Sequence, residues 1–252
     1  MKAVTIQDIK NLKGSSFATL TAYDFNSAQL VDEAEIPLIL VGDSASMTIY
    51  GYDTTVPISM DEMVLVVKAV TRGTKQSLVV ADMPFLSYQP SVEETIKNAG
   101  IFMKNGASAV KLEGGEHVFD NIQALVQCGI PVLGHVGLTP QSFHQMSGYK
   151  IQGKKPEDAK KIINDALAVQ KAGAFGIVLE CIPETLATEI TNMLTIPTIG
   201  IGSGDTCDGQ IQVFHDIMGL SKEKAPKHAK QYHQLYSTML DVVKQYKQDV
   251  EK

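Results

Sequence analysis

Several short apolar runs in this chain stop at a residue able to do acid–base or metal chemistry. Leu40-Val41-Gly42 is followed by Asp43 and Ser44, Val79-Val80-Ala81 by Asp82, and Val110 by Lys111, Leu112 and Glu113. Further on, Val132-Leu133-Gly134 meets His135, and Val178-Leu179 meets Glu180. Four carboxylates gathered at one place repel one another and lose solvation, so they cannot all stay ionised without a compensating cation. A divalent metal supplies that cation. Oxygen ligands without a thiolate suit a hard ion, and a few carboxylates with open water positions suit Mg2+ better than a Ca2+ cage. Asp43, Asp82 and Glu113, on three successive runs, are the expected ligands. Any one of these acids alone would read equally well as a helix cap or a solvated loop residue; the argument rests on their recurrence.

Lys111 and Glu113 stand two residues apart, so on a strand both side chains share one face and the lysine enters the acid cluster. It can fix a substrate carboxylate, pair structurally with Glu113, or act as a Schiff-base nucleophile. The last role needs a depressed pKa, which four nearby acids oppose. Glu180 is expected near the metal but not on it, as a general base with its pKa raised by Val178, Leu179 and Ile182. A helix-start acid ahead of Pro183 is its other reading. His135 reads equally as a substrate contact or a satisfied core histidine. His117, His144, His215, His228 and His233 have no metal-pair spacing, and the last two look surface-helical. Gly200-Ile201-Gly202-Ser203-Gly204 is either an anion-binding loop or a tight turn.

To bring those run ends together the chain needs strands that all point one way. The runs are Phe17 to Thr21, Leu38 to Gly42, Leu78 to Ala81, Ala109 to Leu112, Val132 to His135, Gly176 to Leu179, Thr198 to Gly202 and a weaker eighth near Val213 to Ile217. Each is followed by a stretch long enough for a helix. Repeated βα units make a parallel sheet, and eight in 252 residues predict a closed (β/α)8 TIM barrel, one domain over residues 1–252. In that architecture the site sits where the strands end. Ser59 to Glu62 and Ser91 to Glu94 have the Ser-x-x-Glu form of a capping box, and Pro156-Glu157-Asp158 has the proline and acids of a helix start. Thr5 to Asp8 predicts a short N-terminal helix under the barrel. Ala229 to Val250 predicts a long C-terminal helix, whose stripe of Tyr232, Leu235, Tyr236, Met239, Leu240, Val243 and Tyr246 is expected against its own barrel or a second subunit.

Composition removes other classes of function. The net charge is −6 and Arg72 is the sole arginine, so no basic stripe exists to neutralise a phosphate backbone, and nucleic acid is not an expected partner. Apolar runs are short and interrupted, which predicts no membrane partner, and Met1 to Asn11 lacks a leader-like apolar stretch, which places the protein in the cytoplasm. Cys128, Cys181 and Cys207 have no CxxC spacing and are expected to be small buried hydrophobes rather than zinc ligands or a disulfide framework.

The ordered motifs Thr21-Ala22-Tyr23-Asp24, Val41-Gly42-Asp43-Ser44, Gly51-Tyr52-Asp53-Thr54-Thr55, Asp82-Met83-Pro84-Phe85, Val110 to Gly115, Gly134 to Ser142, and Gly200-Ile201-Gly202 with Cys207-Asp208-Gly209-Gln210 resemble the ketopantoate hydroxymethyltransferase family from about Thr5 to about Leu220. The resemblance implies a Mg2+-dependent barrel that transfers a hydroxymethyl group from 5,10-methylenetetrahydrofolate to 3-methyl-2-oxobutanoate, in pantothenate biosynthesis, as a homodecamer. It implies Asp43, Asp82 and Glu113 as metal ligands, Asp43, Ser44, Asp82 and Lys111 as substrate contacts, and Glu180 as proton acceptor. Ser203, where alanine is usual, and Gln212, within an expected apolar strand, depart from the pattern. Two other readings fit the residues: a different Mg2+-enolate lyase or mutase acting on a small oxo-acid, and a barrel that binds such acids without turnover.

Overall fold

In a computed structural model describing residues 3–146, 148–222 and 225–252, β1 (Phe17–Thr21), β2 (Leu38–Val41), β3 (Leu78–Asp82), β4 (Ala109–Lys111), β5 (Val132–Gly137), β6 (Gly176–Glu180), β7 (Thr198–Ile201) and β8 (Gly209–Gln212) form a closed barrel in sequence order. Every neighbouring pair is parallel, including β1 with β8. β2 and β3 are buried along their whole length, as parallel strands covered on both faces require. One set of side chains, among them Leu38, Leu40, Val80, Leu133, Val178 and Ile211, fills the barrel; the other packs under the helices. The short helix α1 (Ile6–Lys10), started by a Thr5/Asp8 capping box, inserts the fully buried Ile9 into the inner set and plugs the lower end.

Around the barrel run α2 (Phe25–Glu33), α3 (Ala45–Thr48), α4 (Met60–Gly73), α5 (Val92–Lys104), α6 (Phe119–Gln127), α7 (Phe143–Met146), α8 (Pro156–Lys171), α9 (Glu184–Met193), α10 (Phe214–Met218) and α11 (Leu235–Val250). The Ser59/Glu62 box starts α4 reciprocally; Ser91 caps α5 by accepting from Glu94 N, and Pro156 opens α8.

Four expectations are corrected. The eighth strand is Gly209–Gln212, and the segment expected to form it is α10, with Val213 as its N-cap residue. Glycine and glutamine hide the strand in the sequence. Backbone pairing with β1 and β7 makes it, and the ring of Phe17 lies 2.6 Å from where a β-carbon on Gly209 would stand. The C-terminal helix begins at Leu235, since Tyr232 N donates to Ile217 O and Tyr236 N to Gly219 O, which hold the preceding segment in irregular form. His228 and His233 are therefore exposed but not helical. No residue of α11 is buried, so its stripe of Met239, Leu240, Val243 and Tyr246 does not pack on this barrel. Burial also holds for only one cysteine: Cys207 is buried, Cys181 intermediate, and Cys128, at the end of α6, exposed.

Asp32 near the end of α2 ties the lower loops together. Its buried carboxylate accepts from the backbone N–H groups of Lys75, Gln76 and Ser77 at 3.0, 2.9 and 2.7 Å. Burial pushes its pKa up, but those donors outweigh it and hold the group below the usual carboxylate value. A depressed folded-state pKa contributes stability above the unfolded pKa, about 3.9, and loses it as pH falls through the folded value. Asp32→Ala should therefore cost on the order of 3 kcal/mol at neutral pH by urea unfolding. The gap should close below about pH 4; a constant gap down to acid would mean that packing alone is lost.

Candidate active site

The strand order delivers the predicted residues to one mouth. Asp43 follows β2, Asp82 ends β3, Lys111 ends β4 with Glu113 two residues beyond, His135 lies in β5, and Glu180 ends β6. Asp43, Asp82, Lys111, Glu113 and His135 are each at most 5% exposed. Glu180 is the exception, with 16% of its side chain open to the cavity above. Gly114 makes the bend after Glu113: at φ 121° it lets its N–H donate to His135 O at 2.9 Å, joining the β4 and β5 ends.

Charge runs through the cluster as a chain. Lys111 Nζ grips both oxygens of Asp82 at 2.7 and 2.9 Å and stands 3.8 Å from Glu113 Oε1. His135 Nδ1 lies 3.4 Å from Glu113 Oε1, and its Nε2 lies 3.2 Å from Glu180 Oε2. Neither His135 contact meets hydrogen-bond geometry. Burial and Lys111 pull the imidazole pKa down, but Glu113 and Glu180 outweigh them and lift it to about 9. Burial likewise works against the Lys111 ammonium, and Asp82, Glu113 and Asp43 more than reverse it. An amine held charged is a poor nucleophile, so the Schiff-base role does not fit. Asp43 is pushed well above the usual carboxylate value, first by burial and then by the charges of Asp82 and Glu113.

The donor set suits a hard cation. Glu113 Oε1 is buried with no hydrogen-bond partner, and the surplus of negative charge at Asp43 calls for a positive one. Among the described residues no three acidic, histidine or cysteine side chains form a ready-made metal cage. Mg2+ needs none, since it takes one or two carboxylates and fills its remaining positions with water and substrate oxygens.

Ser44 joins the site through a 2.7 Å hydrogen bond between its Oγ and the hydroxyl of Tyr23, which is buried. The glycine-rich segment after β7 is a tight turn, with Gly202 at φ 64° and Gly204 at φ 75°. Within it Ser203 has a use that its departure from the family pattern does not suggest. Its hydroxyl donates to Leu179 O at 2.8 Å and accepts from Ile182 N at 3.2 Å, bracketing Glu180 and the strained Cys181 at φ 47°. Sequence reasoning gave Tyr23, Tyr88 and Gln141 no role: Tyr23 and Gln141 stand inside quoted motifs, but no spacing marks them as chemistry. Above the cluster opens a cavity of ≈ 1110 Å3, whose walls include Tyr52, Tyr149, His215, Lys222, Lys227 and His228.

A closed parallel barrel with a buried lysine–carboxylate–histidine cluster at the strand ends defines a (β/α)8 enzyme of acid–base chemistry. Solved structures agree on the fold: phosphoenolpyruvate phosphomutase from Streptomyces platensis subsp. rosaceus superposes with TM-score 0.66 at 11% identity, covering 98% of this chain and 88% of its own. Phosphonopyruvate hydrolase, solved in complex with oxalate and Mg2+, superposes with TM-score 0.61 at 14% identity, covering 84% and 81%. The chain belongs to the ketopantoate hydroxymethyltransferase family, whose model matches residues 3–252. The 3-methyl-2-oxobutanoate hydroxymethyltransferase of Carboxydothermus hydrogenoformans is 51% identical over 255 residues, covering 100% of this chain and 92% of the relative. The protein of the same name from Geobacter sulfurreducens is 50% identical over 254 residues, covering 100% and 95%.

Proposed function

We propose that this chain transfers a hydroxymethyl group from 5,10-methylenetetrahydrofolate to 3-methyl-2-oxobutanoate with Mg2+ as cofactor, and that residues 1–252 act as one catalytic domain. The observation that carries this reading is the contrast within one cavity: Asp43, Asp82, Lys111 and Glu113 form its nearly closed floor, while Glu180, two strands on from Glu113, is the most open of the cluster's acids. Asp43, Asp82 and Glu113 would hold Mg2+, which when bound polarises a keto carbonyl and stabilises the oxygen of a developing enolate. Lys111 and Ser44, with Asp43 and Asp82 beside them, hold the carboxylate end of the oxo-acid so that its C3 faces Glu180. The Glu180 carboxylate takes the C3 proton, and the carbon left with the electron pair bonds to the one-carbon unit. Water supplies the hydroxyl oxygen and tetrahydrofolate leaves. A cavity of ≈ 1110 Å3 far exceeds the needs of a five-carbon acid, which supports a second, larger substrate above it.

Three free thiols fit the reducing cytoplasm, where we place the protein. The exposed apolar stripe of α11 supports self-assembly, for which the family resemblance suggests a homodecamer. Among the described residues no helix is long and apolar enough to cross a membrane.

The test is proton exchange at C3 of 3-methyl-2-oxobutanoate in D2O by NMR. With enzyme and Mg2+ but no folate, deuterium should enter C3, EDTA should stop it, and 2-dehydropantoate should form only once 5,10-methylenetetrahydrofolate is added. Exchange without product on adding the donor would point instead to another enolising enzyme. No exchange with or without tetrahydrofolate would refute the reading.

A further inference from the structure

We infer that Gln141, a residue with no role in the reaction described above, is the positioning residue for the metal site, holding two of its ligands from outside. This rests on the Mg2+ reading. Gln141 lies in the turn after β5, between Pro140 and Ser142, and is 4% exposed. Its side-chain Nε2 donates to Asp43 Oδ2 at 3.0 Å and to Met83 O at 2.8 Å. Its backbone N–H donates to Glu113 Oε2 at 3.1 Å. One residue of β5's loop thus reaches carboxylates delivered by β2 and β4, and grips a single oxygen of each. On Glu113 the other oxygen, Oε1, is the buried atom without a hydrogen-bond partner.

The amide can sit only one way round. Both hydrogens of Nε2 point at oxygens, and one of them, the Met83 peptide carbonyl, can only accept. Its Oε1 faces two donors, the Tyr88 hydroxyl at 2.9 Å and Gln89 Nε2 at 3.3 Å. Tyr88 is itself pinned, since its hydroxyl accepts from Glu113 N at 3.2 Å. Flipping the amide would set oxygen against Asp43 and Met83 and put two NH2 groups face to face. Partners that orient ligands from behind set metal affinity, and losing one typically costs about 10- to 100-fold. The backbone bond to Glu113 does not depend on the side chain, so replacing the amide releases Asp43, together with Met83 O, Tyr88 and Gln89, while Glu113 stays held.

The experiment is a titration of the substrate-free protein with Mn2+ alone, read by electron paramagnetic resonance, for wild type and Gln141→Met, a near-isosteric change without donors. The Mn2+ dissociation constant should rise about 10-fold or more, while the thermal melt stays close to wild type. In turnover, the Mg2+ concentration for half-maximal rate should rise and kcat at saturating Mg2+ should largely recover, a split that loss of folded protein would not give. Mn2+ affinity within twofold of wild type in folded Gln141→Met would overturn the inference and leave the Mg2+ reading standing. If Gln141→Met does not fold, Tyr88→Phe, which removes the nearer of the amide oxygen's two donors, takes its place: several-fold weaker Mn2+ binding supports the role and unchanged binding overturns it. Failure of the wild type to bind Mn2+ would remove both readings together.

Discussion

Glu180→Gln should stop deuterium entry at C3 of the oxo-acid and lower kcat by about 10²–10⁴-fold, the usual contribution of a positioned general base. The substitution keeps size and polarity, so the oxo-acid and Mg2+ should bind nearly as before. The size of the effect follows from placement. Asp82 is gripped by Lys111, and Asp43 and Glu113 are both held by Gln141, whereas Glu180 is the most open of these four acids, which all line the cavity. The Glu180 contact with His135 is not a hydrogen bond, whereas each of the other three carboxylates would have to give one up to turn to C3. His135, 3.2 Å from Glu180 Oε2, is the group best placed to respond as that carboxylate gains a proton. Exchange by NMR and steady-state rates on one preparation decide the matter. Exchange in Glu180→Gln within tenfold of wild type would take the base role away from this residue.

Much of the site was legible because a parallel barrel converts sequence position into space. Once β2, β3, β4 and β6 are recognised from their apolar runs, the residue at each C-terminal end must face the same mouth, and Asp43, Asp82, Lys111, Glu113 and Glu180 follow. What failed to show is what sequence spacing does not encode. β8 is a strand through pairing with β1 and β7 and not through its own residues, so glycine and glutamine masked it. Gln141 acts through contacts to residues 98 and 28 positions away, for which an ordinary turn sequence gives no signal. His135 reads from sequence as a satisfied core histidine or a substrate contact; the structure buries it between Glu113 and Glu180 but leaves both ring nitrogens without a hydrogen bond, so it is not a satisfied core residue. The apolar stripe of α11 is visible in the sequence, but amphipathicity specifies a partner surface without saying whose.

Asp82→Asn should remove Mg2+-dependent turnover almost entirely, by about 10³-fold or more, the rate equivalent of the several kcal/mol that a metal contributes to an enolate-like transition state. Asp82 has two duties in the cluster. It is an expected metal ligand, and it is the main counter-charge of Lys111, whose next ion-pair partner among the described residues is Glu113 at 3.8 Å. Asparagine keeps the shape and can accept one hydrogen bond from the lysine, but it supplies neither the charge nor the second oxygen. The carboxylate also accepts from Asp43 N at 3.2 Å, so its loss should loosen the neighbouring ligand as well. Two features separate this expectation from simple unfolding. The circular dichroism spectrum and oligomer size should match wild type, and the loss should persist at high Mg2+. Wild type stripped with EDTA should show a comparable loss but recover when Mg2+ is returned. Turnover of Asp82→Asn within tenfold of wild type would mean that the metal sits elsewhere in the mouth, with Asp43 and Glu113 as the residues to examine next.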